Sequence, residues 1–128
     1  MNMNKFLLSW GMVIGYVVLN SFGALIIKYK INAIGEVQLG SLKSFVNYFM
    51  ELLKSPLIIC GILSIFISAF VWMTALSRLQ ISLAYPVAVG LNFFVVVTVA
   101  LIFLKEQLSV EKVIGIVLIF ISIYLLTR

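Results

Sequence analysis

Three stretches of this chain run for twenty residues or more without one charged side chain: Phe6 to Ile27, Leu57 to Leu76 and Ser82 to Leu104. A fourth apolar stretch, from about Val113 to Leu126, takes in Leu108 and Val110 to reach similar length. The Asp, Glu, Lys and Arg residues all lie outside the three long blocks and outside Val113 to Leu126, and they make up only 10% of a chain that is 64% apolar. A soluble domain of this size needs far more polar surface. Crossing the hydrocarbon of a bilayer takes roughly 20 residues as helix, or about 10 alternating residues as a barrel strand. The blocks have helical length and no sustained alternation. Backbone polar groups in lipid must be paired within the segment, so the expectation is an all-α membrane protein. One domain over residues 1–128 is expected, with spans at about 6–27, 57–76, 82–104 and 108–127. The first block is too long for a cleaved leader and has no small-residue cleavage site at its end, so it reads as a retained helix.

The connection between the first two blocks is the longest. Asn32, Gly35 and Gly40 mark it as turns. Over residues 41–54 a helical period follows. Leu42, Phe45, Val46, Phe49, Leu52 and Leu53 share one face, and Lys43, Asn47, Glu51 and Lys54 the other. This predicts an amphipathic helix, lying in the membrane interface in preference to capping the bundle. Ser55-Pro56 is a helix start signal. Pro86 falls in the first turns of the third block, where it removes little hydrogen bonding.

Several chemistries are excluded by composition. There is no His, and Cys60 is the only cysteine, so no Cys/His metal site, intrachain disulfide or histidine-based triad can form. No cofactor and no enzymatic function are expected. The net charge of +5 sits on residues that flank apolar blocks, which points to anionic lipid headgroups and not to nucleic acid. Six Lys residues (28, 30, 43, 54, 105 and 112) stand on one side against Lys5, Arg78 and Arg128 on the other. That bias weakly favours termini outside.

The polar residues within the blocks are neutral. Asn20 and Asn92 are the costliest to bury, so each is expected to face protein or a wet cavity. Asn20, Ala24 and Ile27/Lys28 share one face of the first helix; Tyr85, Ala88/Val89 and Asn92 share one face of the third block. Two arrangements follow: a polar-lined groove between these faces, or helix–helix hydrogen bonds between the Asn residues. Gly11 and Gly15 form a GxxxG, Ala84 and Ala88 a small-xxx-small pair, and Gly115 and Ser122 lie one heptad apart; all are spacings that permit close helix contacts. Lys28 and Lys30 are expected to end the first helix at the interface, as snorkelling anchors or as contacts for a phosphate headgroup.

Four blocks of this size, with LNSFGALIIK at 19–28, LAYPVAVGLNF opening the third and FLKEQLS at 103–109, resemble the drug/metabolite transporter superfamily. The likeness extends to small multidrug resistance proteins and to short EamA-like proteins, which include the subunits of the aminoarabinose–undecaprenyl-phosphate flippase. Two departures distinguish the branches. Small multidrug exporters carry an essential membrane glutamate eight residues before the Lys ending their first helix; that position here is Asn20. They also carry a Trp three residues after the Tyr matching Tyr85; that position here is Ala88. The pattern is similar instead to the flippase-like branch, although that branch often has Gln where Ala24 stands. The resemblance implies an inner-membrane, multi-pass transporter or flippase subunit, working as a homodimer or heterodimer with a second four-helix subunit. Its substrate would be a lipid-linked anionic compound such as a polyprenyl-phosphate sugar, and Asn20, Ala24, Lys28, Lys30, Tyr85 and Asn92 its candidate contacts. The alternatives are a multidrug-type exporter of small or cationic compounds, and a membrane scaffold that moves nothing.

Overall fold

The computed structural model describes residues 3–37, 40–105 and 107–126. They form five α-helices, with no strand among them: α1 (Met3–Ile34), α2 (Leu42–Leu53), α3 (Pro56–Leu76), α4 (Ile81–Phe103) and α5 (Val110–Leu126). Three of these, α1, α3 and α4, are long and apolar enough to cross a membrane. α5 has 17 described residues, about 25 Å of helix.

α1 is longer than the apolar block that begins it. Its 32 residues rise about 48 Å, against roughly 30 Å of bilayer hydrocarbon. Lys28 and Lys30 therefore do not end the helix, and Asn32 is helical, not a turn. Lys and Asn cost a helix only a few tenths of a kcal/mol, too little to stop it. The stop is Gly35, whose φ of +103° suits glycine and whose N–H donates to the Ile31 carbonyl at 2.9 Å.

α2 starts at Ser41, whose hydroxyl accepts the Ser44 N–H at 3.2 Å as an N-cap. Tyr48 ties α2 back to the end of α1 by donating to the Gly35 carbonyl at 2.7 Å. Of its apolar face only Leu52 is buried; Leu42, Phe45, Val46, Phe49 and Leu53 are exposed. The face is therefore not spent on capping the bundle. Pro56 opens α3 at its first position as expected, but Ser55 makes no side-chain capping bond.

Contacts fix the directions of the long helices. Gly15 faces Val71 and Gly23 faces Gly61, so α1 and α3 are antiparallel. Val13 clusters with Ala88, while Ser21 bonds Asn92, so α1 and α4 run parallel. Gly90 faces Ile123 while Phe94 lies against Phe120, ring centroids 5.7 Å apart, which sets α5 antiparallel to α4.

The interior is built of small residues. Ser9, Val13, Val17 and Ser21 form the buried stripe of α1, with Gly23; α3 buries Gly61, Ser64, Ser68 and Ala75, with Ile58 as its one large buried residue; α4 buries Ala84, Ala88, Gly90 and Ala100. Large apolar residues such as Phe22, Phe66, Ile67 and Phe70 point outward. A water-soluble bundle does the reverse, whereas helices that associate in lipid bring small residues together for close contact. At Gly23 against Gly61 backbone meets backbone. A Cβ on Gly23 would lie 2.5 Å from the Gly61 carbonyl oxygen, and one on Gly61 would lie 3.1 Å from that of Gly23. Beside it, Ser64 donates its hydroxyl to the Leu19 carbonyl at 2.7 Å. The expected GxxxG is not a packing site: Gly11 faces open space and Gly15 meets only Val71, at an ordinary 3.6 Å. Gly115 also meets nothing, and α5 has no buried residue.

Candidate functional site

Inside the bundle Ser9, Ser64 and Ser68 each donate to a backbone carbonyl, and three further polar side chains converge. Asn20 and Ser21 of α1 meet Asn92 of α4. The Asn92 side-chain oxygen accepts the Asn20 amide N–H at 3.2 Å and the Ser21 hydroxyl at 2.7 Å. Ser21 is fully buried, and the two amides are half-buried. The pairing of Asn20 with Asn92 realises the helix–helix hydrogen bond of the two arrangements weighed from the sequence. Ser21 completes it; its place beside Asn20 in a Ser-rich buried stripe was the available signal.

Tyr85 belongs to a different level. It lies seven residues before Asn92, about 10 Å along α4. Its exposed ring sits 6.3 Å from that of Trp72, which in turn lies 4.9 Å from Tyr16. This aromatic series joins α4, α3 and α1. Nearby, the Trp10 indole N–H is buried without an acceptor among the described residues. Sequence reading missed this cluster, because Trp10, Tyr16 and Trp72 come together only through the antiparallel packing of α1 and α3.

Ala24 is half-buried, one turn beyond Asn20. Lys28 is exposed and Lys30 half-buried, two to three turns beyond the amides. Because α1 and α4 run parallel, the levels follow in order along the bundle: aromatic rings, then neutral amides and hydroxyl, then the basic pair.

A groove does open between α1 and α4, but it is not the polar-lined one expected. Ser21, Phe22, Leu25 and Tyr29 of α1 and Val95 and Val99 of α4 line it, around a volume of about 460 Å³. On α1 it occupies the face next to that of Asn20 and Ala24. The reason is the size of the facing residues. Around Asn92 and Ala88 small side chains let the two helices touch, and the amides are consumed in bonding each other; beyond Ser21 bulky apolar side chains hold the helices apart. Among the described residues no group of side chains could hold a metal ion. Glu36, Glu51 and Glu111 are exposed and lie outside α1, α3 and α4; Glu106 lies outside the described residues.

Helices that bury small residues, turn large apolar ones outward and carry a graded series of polar groups through the bundle make this an integral membrane protein. Over residues 4–128 the chain matches the EamA-like transporter family, and it belongs to that family. It is also similar to the probable 4-amino-4-deoxy-L-arabinose-phosphoundecaprenol flippase subunit ArnE of Pseudomonas savastanoi pv. phaseolicola, with 26% identity over 121 residues, 94% of this chain and 98% of the relative. No solved structure matches the chain.

Proposed function

We propose that the chain is one subunit of an inner-membrane flippase or transporter for a lipid-linked anionic substrate, such as a polyprenyl-phosphate sugar. In this reading α5 is a fourth span, the exposed apolar face of α2 lies in the interface, and a second four-helix subunit completes the path. Movement is not exchanged for protons at a membrane carboxylate. The observation that carries the reading is the neutral cluster of Asn20, Ser21 and Asn92 at the position where a proton-coupled exporter of this resemblance keeps its acid. Neutral amides can offer and accept hydrogen bonds to a passing sugar without the ~2.5–3.5 kcal/mol that an ionised group costs at the bilayer centre. Tyr85 and Ala24 flank this path. Lys28 and Lys30, just past the apolar block, supply donors for the phosphate. The likeness to a named flippase subunit over nearly the whole chain supports the same substrate class.

The test is reconstitution of the protein with its co-purifying partner into vesicles containing a polyprenyl-phosphate sugar, scoring transfer between leaflets with and without a pH gradient. Transfer that needs no gradient is expected. Proton release on adding cationic compounds would favour a multidrug-type exporter instead. No lipid movement, with stable co-purification of a glycosyltransferase, would favour a scaffold.

A further inference from the structure

The aromatic series across α1, α3 and α4 lies too deep to be an interfacial belt. Tyr16 stands ten residues beyond Phe6 and eleven before Ile27, at the middle of the charge-free run. That is about 15 Å from either end of the run, half the thickness of bilayer hydrocarbon. Belt residues hold their polar tips at headgroup level. Here Trp72 packs 4.9 Å from Tyr16 and 6.3 Å from Tyr85, so the rings lead inward from exposed Tyr85 to mid-membrane. Tyr16 and Asn20 are four residues apart on one face of α1, so the series ends one turn from the amide cluster.

The polar atoms of this series are unused. The Tyr16 and Tyr85 hydroxyls and the Trp72 indole N–H have no hydrogen-bond partner among the described residues, and the Trp10 N–H is buried without one. Donors set in an apolar membrane call for a ligand rich in oxygen acceptors, which a lipid tail is not. The surrounding charge disfavours a cation. Among the described residues, Lys5 and Arg78 are the charged side chains at this end of the bundle, whereas Glu36, Glu51 and Glu111 lie at the opposite end. A cation stacked on these rings would meet two positive charges and no carboxylate. A sugar ring matches both demands. Its oxygens accept the free donors, and its polarised C–H groups rest on the negative faces of the rings.

We propose that Tyr16, Trp72 and Tyr85 seat the sugar ring of the lipid-linked substrate, next to the amides that take it onward. The inference rests on the substrate class proposed above, and adds which residues hold its sugar.

The test uses the full protein, with its co-purifying partner, in detergent micelles. Dissociation constants for a polyprenyl-phosphate pentose, a polyprenyl-phosphate hexose and bare polyprenyl phosphate are read by native mass spectrometry. The wild type should bind at least one of the sugar lipids about tenfold more tightly than the bare phosphate. Trp72→Leu and Tyr85→Leu should each abolish that preference and leave binding of bare polyprenyl phosphate unchanged, which also shows that the variants are folded. Trp72→Phe, which keeps an aromatic face, should retain part of the preference. Phe66→Leu, on the outward face of α3, should leave it intact. A preference that survives both leucine substitutions overturns the seat and leaves the substrate class standing. So does a wild type that binds all three lipids equally. Loss of tetraphenylphosphonium binding in the leucine variants, with the sugar preference kept, would make the rings a cation site instead. Binding of none of the three lipids removes the substrate class, and the seat with it.

Discussion

Replacing Gly23 with Ala should destabilise the protein far more than the same change at Gly11, although Gly11 heads the GxxxG. The Gly23 Cβ would stand 2.5 Å from the Gly61 carbonyl oxygen and 2.6 Å from the Ile65 side chain, where ordinary contact begins at 3.4 Å. The obstacle is backbone, so α1 and α3 must separate by about 0.9 Å to restore contact distance. That movement stretches the neighbouring bond from Ser64 to the Leu19 carbonyl from 2.7 Å to beyond hydrogen-bond range. Overpacking of this kind costs ~1–3 kcal/mol, and a lost interhelical hydrogen bond in a membrane protein averages ~0.6 kcal/mol. The expected loss is about 2–4 kcal/mol. At Gly11 a methyl meets nothing within 4 Å, and Ala in place of Gly favours the helix by up to ~1 kcal/mol. The two variants therefore shift stability in opposite directions. Unfolding in mixed micelles of rising SDS mole fraction, followed by far-ultraviolet circular dichroism, reads both. Gly23→Ala as stable as the parent, or Gly11→Ala the more damaging, would refute the placement of the α1–α3 crossing.

Asn92→Ala removes the acceptor shared by Asn20 and Ser21 and should cost about 1–3 kcal/mol in the same titration, since the Asn20 amide is left half-buried without its partner. Asn92→Gln, which keeps the acceptor, should cost less. Lys28→Gln with Lys30→Gln should weaken binding to vesicles containing polyprenyl phosphate by about 1 kcal/mol per residue, and should flatten its dependence on salt; unchanged binding would remove the phosphate role of this pair. Phe45→Glu with Phe49→Glu should free α2 from the membrane, seen as faster amide hydrogen exchange over residues 42–53 in bilayer nanodiscs, while the exchange of α3 stays slow.

The helices were legible because length and charge-free runs report directly on the hydrocarbon thickness. α3 matches its apolar block within a residue, and α4 starts one residue earlier and ends one residue earlier than the block from Ser82 to Leu104. The end of α1 was not legible from the same rule. Lys28 marks where the charge-free run stops, not where the helix stops; the helix persists to Ile34 because nothing before Gly35 opposes it. α2 was legible for the opposite reason, as its polar and apolar faces differ in kind and leave a 3.6-residue period.

Packing inside the bundle left a fainter trace. In water the buried face of a helix is the apolar one, so periodicity identifies it. In α1, α3 and α4 both faces are apolar, and the contrast that matters is size. Ser9, Val13, Val17 and Ser21 recur every four residues on α1, yet a scan for glycine pairs passes over them in favour of Gly11, which faces open space, and Gly15, which makes only an ordinary contact with Val71. The same contrast accounts for the site. Asn20 and Asn92 were recognisable as a pair because an amide facing hydrocarbon is costly enough to demand a partner. The groove beside them was not, because Phe22, Leu25, Val95 and Val99 carry no polar mark; they form a channel only because they are too large to let α1 and α4 close. Bulk that separates two helices just past a point where small residues join them is therefore the feature to read, and it places an apolar channel directly against a neutral polar cluster.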